Sequence, residues 1–163
     1  MPSYMVKPTN RILVGPANTE IVEMKIGANA TAAQMVPGRF VIYDAATGSV
    51  KEAGAKADDV FGVLEIKSGM KLSDNYAVAD PCNVIRRSQG ARVLITLLSG
   101  GAAVVPGDRI VTAGNGKGAK QAVGAMGAQG TVVAIALTDG DPSAADVTIV
   151  AELTGGAEPA AAS

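Results

Sequence analysis

Short runs of β-branched and other apolar residues, separated by Gly, Pro and Asp, recur along the whole chain. "RFVIYD" (39–44), "VFGVLEI" (60–66), "ARVLITLL" (91–98), "DRIVTA" (108–113), "TVVAIAL" (131–137) and "DVTIVAEL" (146–153) each have the length and residue types of a strand. Val93, Ile95 and Leu97 alternate with Arg92, Leu94 and Thr96, and Val147 and Ile149 alternate with Asp146 and Thr148. That period of two describes sheets with one buried face. No segment sustains an apolar period of 3.6 between capping signals. One helical turn is expected within "ADPCNVIRRS" (79–88), where Asp80 can cap a helix with Pro81 at its first position. Many short strands with frequent turns predict an all-β fold, a small barrel or sandwich.

The pattern repeats. Shifting the chain by 69 positions lays residues 36–66 on 105–135 without a gap, and seven of the 31 pairs are identical. Val36-Pro37-Gly38 meets Val105-Pro106-Gly107, Val41-Ile42 meets Ile110-Val111, and Lys51 and Ala53 meet Lys120 and Ala122. Upstream, "VEMKI" (22–26) matches "VLITL" (93–97) once two residues are dropped from the intervening loop. The expected organisation is therefore an extended arm over 1–20, a β domain over 21–153 built from two similar halves (about 22–66 and 93–135), and a flexible tail over 154–163. Pro2, Pro8 and Pro16 suit the arm, and the small residues of "TGGAEPAAAS" suit the tail.

The glycine-rich stretch "TAGNGKGAK" (112–120) invites a phosphate-binding reading. A P-loop requires Ser or Thr after the lysine, yet Gly118 follows Lys117, and a dinucleotide fingerprint requires glycines that open a helix. Asn115-Gly116 is instead a hairpin turn signal, because both residues tolerate positive φ. The first copy has Thr47-Gly48 in that slot, and nothing of a phosphate pattern survives there. Pro37-Gly38 and Pro106-Gly107 fit the two central positions of type II turns, with Pro presetting φ and Gly accepting φ > 0. These glycines are structural.

Composition narrows the chemistry. Hydrophobic residues are 48% of the chain but aromatics only 3%, so the core is built from small side chains and gains from association with a partner or with itself. The net charge of −1 lacks the clustered Lys and Arg that nucleic acid requires. With no His, the usual proton shuttle, the commonest metal ligand and any Ser–His or Cys–His pair are missing. The lone Cys82 reads as a small buried apolar residue. Asp139, Asp141 and Asp146 lack the full ligand series of an EF-hand and read as a solvated loop. No catalytic, metal or cofactor site is expected, nor a membrane partner. The opening residues lack the apolar core of a signal peptide, so synthesis in the cytoplasm is expected. Arg86-Arg87 forms a small basic spot, read either as solvated surface or as one side of a charge-assisted contact with a partner.

The stretch 93–137 resembles the head decoration, or cement, proteins of tailed viruses. There, an apolar strand leads through a glycine-rich loop to a G-D-x-[IV] turn, a short glycine hairpin and a G-x-A-[LIV] strand. "YMVKPTNRILVGPA" (4–17) resembles their extended N-terminal arms. Thr131 is a departure, standing where such proteins often have Gly. The resemblance implies a non-enzymatic virion protein on the capsid exterior, commonly a homotrimer, that binds junctions between major capsid protein subunits and stabilises the shell. Its arm would contact the capsid through Tyr4, Met5 and Val6, with Arg86 and Arg87 as further contacts. A tail or baseplate adaptor is the alternative of the same class. A biotinyl- or lipoyl-type carrier domain would also use duplicated halves, but Lys117 lies between two glycines and the halves are too far apart for that small barrel.

Overall fold

The computed structural model describes residues 11–16, 19–57, 59–122 and 130–155. Among them eleven strands form: β1 (Leu13–Gly15), β2 (Ile21–Lys25), β3 (Phe40–Asp44), β4 (Ser49–Glu52), β5 (Val60–Leu64), β6 (Pro81–Arg86), β7 (Arg92–Leu97), β8 (Arg109–Gly114), β9 (Lys117–Lys120), β10 (Ala134–Ala136) and β11 (Val147–Leu153). A single 3-10 turn covers Ala32–Gln34. The fold is all-β, as the alternation predicts.

The strands form two sheets with the same internal plan. One has the order β2-β6-β5-β3-β4, and the other β7-β11-β10-β8-β9 with β1 added outside β7. The first, second, third, fourth and fifth strands of each half thus occupy the same places. Each sheet also curls until its first and third strands meet in parallel, through Ile26↔Val50 in one and Leu97↔Gly118 in the other. Repeat-related residues fill the two interiors. Ile26, Met35, Val41 and Leu64 are buried in the first, and their counterparts Leu97, Val104, Ile110 and Val133 in the second.

The expected helical turn at 79–88 is a strand. Cys82 and Val84 alternate into the first interior, and β6 pairs along its length with β2, Pro81 opposite Lys25 at the very end. Proline is tolerated at the first residue of a strand, where its missing N–H costs no ladder bond. The tertiary partner on each side outweighs the local helix-start signal.

The two halves share one core. Phe40, Ile85, Val63 and Val60 project from the first sheet into the cluster that holds Ile95, Leu97, Ile110 and Ile149 of the second. The β8–β9 hairpin tip makes main-chain contacts across the junction: Phe40 N–H donates to Gly116 O (2.7 Å) and Gly116 N–H donates to Ala53 O (2.9 Å). Thr112 accepts Lys56 N–H at its carbonyl (2.7 Å) and Ala57 N–H at Oγ1 (2.7 Å). Gly116 has φ +70°, and a Cβ there would stand 2.8 Å from Phe40 O, so conformation and space both demand glycine.

Truncating Phe40 removes the largest side chain at this junction. Phe40→Ala is expected to cost about 3–5 kcal/mol in equilibrium denaturation. Because one core serves both halves, unfolding should remain a single transition. Two separate transitions in the wild type would show that the halves are independent.

Candidate interaction surface

The structure places the candidate contact residues differently from one another. Tyr4, Met5 and Val6 lie outside the described residues. Arg86 is exposed and pairs with Glu20 (3.3 Å), itself exposed. Arg87 is turned inward and only 9% exposed. Its Nε donates to Thr154 O (3.1 Å), while Nη2 donates to Val132 O (3.1 Å) and Thr154 Oγ1 (3.3 Å). Arg87, expected with Arg86 as a partner contact, thus directs its guanidinium to Val132 and Thr154 of the same chain. Thr154, expected at the start of the tail, is held by this clamp and by its own N–H bond to Val133 O (3.0 Å).

The arm is anchored where it enters the body. Glu65 is a buried carboxylate at the end of β5, and it accepts Ile12 N–H (2.6 Å), Leu13 N–H (3.0 Å) and Ile66 N–H (2.8 Å). Three N–H dipoles compensate a charge that would otherwise be costly to bury. Ile12 then inserts its side chain into the shared core, and β1 pairs with β7 through Leu13↔Val93. In the sequence Glu65 looks like an outward polar position of "VFGVLEI", so nothing marked it as an anchor.

Beside this anchor an open groove of about 570 Å³ is lined by Arg11, Ile21, Ile66, Lys67, Met70 and Asn83, among others. Arg11 and Lys67 line it together with Glu65 and the apolar Ile21, Ile66 and Met70. On the first sheet, Tyr43 is 46% exposed and its ring lies 6.1 Å from that of Phe61. Aromatic side chains of this kind are typical anchors of protein interfaces.

The glycine motifs are turns in three dimensions. Asn115 (φ 52°) and Gly116 (φ 70°) form the two-residue link between β8 and β9, both in the left-handed region that a type I′ turn needs. Lys117 Nζ is bound to Asp146 Oδ2 at 2.6 Å. Gly38 (φ 84°) and Gly107 (φ 94°) follow their prolines in turns closed by Arg39 N–H to Val36 O (3.2 Å) and Asp108 N–H to Val105 O (3.1 Å). In the acidic loop Asp141 accepts Ser143 N–H in a local turn, while Asp146 accepts the distant Ser99 N–H and pairs with Lys117. Among the described residues no group of three or more metal-ligating side chains gathers.

No protein-family model matches the chain, and no curated protein matches it. A solved structure does. The N base of head fiber gp8.5 of bacteriophage phi29 superposes with a TM-score of 0.52 at 11% identity, covering 83% of this chain and 95% of that one. At that identity the likeness shows a shared fold. It spans nearly the whole of the phage domain, so both halves of the duplicated body take part.

The titrating groups predict a flat pH profile with two edges. Hydrogen bonds from Lys120 and from Val105 N–H hold the Asp108 carboxyl below its ordinary 3.8. Burial raises the Asp146 carboxyl, but Lys117 and Ser99 N–H outweigh it, and the net direction is down. Depressed carboxyls contribute stability above their unfolded value and lose it as pH falls through the folded one. Burial pushes the Cys82 thiol from 9.0 up to about 12, and Tyr76 from 10.0 up to about 12. Raised acids contribute below the unfolded value and lose it as pH climbs toward the folded one. With no His in between, the denaturation midpoint should stay level from about pH 5 to 8 and fall on both sides. A step near pH 6.5 would contradict this assignment.

The Glu65 anchor has its own test. Glu65→Gln replaces a charged acceptor with a neutral amide and should cost about 1–3 kcal/mol. Hydrogen exchange at the Ile12 and Leu13 amides should accelerate more than at the β7–β11 ladder.

Proposed function

We propose that this chain is a structural protein of a tailed-phage head, acting as a non-enzymatic decoration protein. It binds the outer surface of the shell at junctions between major capsid protein subunits, associates with further copies of itself, commonly as a trimer, and stabilises the lattice. The observation that carries this reading is the fold shared with a phage head fiber base over nearly all of that domain. The anchored arm adds to it. Glu65 fixes Ile12 and Leu13, so residues N-terminal to Arg11 start from a fixed point beside the groove that Arg11, Ile21 and Lys67 help to line. An N-terminal segment that starts from a fixed point on the body suits a clamp that lays strands or side chains on neighbouring subunits. Many modest contacts of that kind on one shell add through multivalency.

Two truncations separate arm from body. Deleting residues 2–10 leaves the Glu65 anchor intact, and it should reduce binding to expanded, preformed heads without shifting the denaturation midpoint. Deleting 2–15 removes β1 and Ile12 as well and should lower stability too. Co-sedimentation with purified heads measures occupancy. Unchanged occupancy after the shorter deletion removes the arm from the mechanism. Finding the protein in purified tails and not on heads replaces decoration with the adaptor role.

A further inference from the structure

The duplicated body contains a worked example of how one repeat docks on another. On β7 the main-chain groups directed away from β11 are covered by the first half and its arm: Leu94 N–H donates to Ile12 O (2.9 Å) and Thr96 N–H donates to Gly38 O (3.3 Å). The contact is heterologous, since the V-P-G turn of one repeat meets the leading strand of the other. Among the described residues its repeat-related counterparts are both left open. Glu23 and Lys25 on β2 correspond to Leu94 and Thr96, and Gly107 corresponds to Gly38.

The β2 edge is the first open surface. Arg86 N–H bonds Glu20 O (3.0 Å) and Ile26 N–H bonds Asp80 O (2.9 Å), so the alternation of an antiparallel ladder turns the main-chain groups of Ile21, Glu23 and Lys25 outward. Among the described residues nothing outside the β2–β6 ladder bonds to them, and their side chains are exposed. The second open surface is the turn Val105–Asp108. Pro37 and Gly38 are buried, whereas Pro106 and Gly107 are exposed and Val105 is 53% exposed. Gly107 O accepts no hydrogen bond from a described residue. The β2 edge carries Glu23 and Lys25, and the turn carries the exposed Arg109 beside Asp108, whose carboxylate is bound to Lys120 (2.8 Å).

We propose that a second copy of this chain docks head to tail, its Val105–Arg109 turn laid on the β2 edge of the first. Gly107 O then accepts Lys25 N–H as Gly38 O accepts that of Thr96 within the chain. Heterologous contacts of this kind close into rings or run on as filaments. Two substitutions between the repeats set the character of the contact. Arg109 stands where Phe40 plugs the internal junction, and Ser49 fills the place of Gly118. The contact between copies is therefore polar and lacks the apolar plug of the internal junction. This inference rests on the part of the proposed function in which copies associate, not on capsid binding.

Cross-linking purified full-length chains tests it apart from the capsid. Lys25→Cys and Arg109→Cys each replace an exposed side chain, and the native Cys82 is buried. With a short bismaleimide, the mixture of the two variants should give a covalent dimer at twice the chain mass, while each variant alone gives none. A homodimer from Lys25→Cys alone means that two β2 edges pair with each other, and it overturns the proposal. No product from the mixture at the highest soluble concentration overturns it too.

Discussion

The docking of a glycine hairpin on Phe40 makes two small barrels into one molecule. Each half closes its sheet with a single parallel bridge between its first and third strands, which leaves a seam. In the second half that seam is bordered by Gly118, where a Cβ would stand 2.9 Å from Ile110 Cγ2 and 3.4 Å from Phe40 Cε2. Glycine there leaves room for the ring. The first half fills the corresponding seam with its own residues, Ser49 and Gly27, and its serine hydroxyl meets that of Thr47. Small differences at matched positions thus decide which half receives and which inserts.

The same junction organises the polar groups. Arg39 is 9% exposed, yet Nη1 donates to Asn115 O (2.8 Å) and to Gln34 Oε1 (3.0 Å), tying the hairpin tip to the first half. Its Nε is buried and has no partner among the described residues, and burial lowers the basicity of the group. Arg87 makes the equivalent tie at the other side, to the end of the second half. Two buried cations bound to oxygens across the junction add directional bonds to an apolar contact built on Phe40, Ile85, Ile95, Leu97 and Ile110.

Much of this was legible in the chain. The V-P-G turns, Asn115-Gly116 and the alternating strands follow from local φ preference and side-chain periodicity, which neighbours in sequence determine. What escaped depends on distant partners. β6 reads locally as a helix start, and only the pairing with β2 and β5 makes it a strand. β1 is three residues long and gains its identity from β7. Glu65 and Arg87 occupy positions where polar residues usually face water, and their burial is visible only once the arm and the Thr154 segment fold over them. The duplication itself was visible as a shift of 69 residues, but the reversal of roles between the copies was not. It arises because the copies face each other with different surfaces.

The order in which the chain is made gives the anchored arm a further meaning. A ribosome delivers the N-terminal half first, and domains tend to fold as they emerge. The first half has an interior of its own in Ile26, Met35, Val41, Leu64 and Val84, so it can collapse early. Its outer face of Phe40, Val63 and Ile85 then stays uncovered until β7 to β9 arrive, and β1 has no strand to join. Glu65 lies within that first half and can hold Ile12 and Leu13 meanwhile. The carboxylate would serve the nascent protein as a bookmark, keeping the arm in register for a strand not yet synthesised.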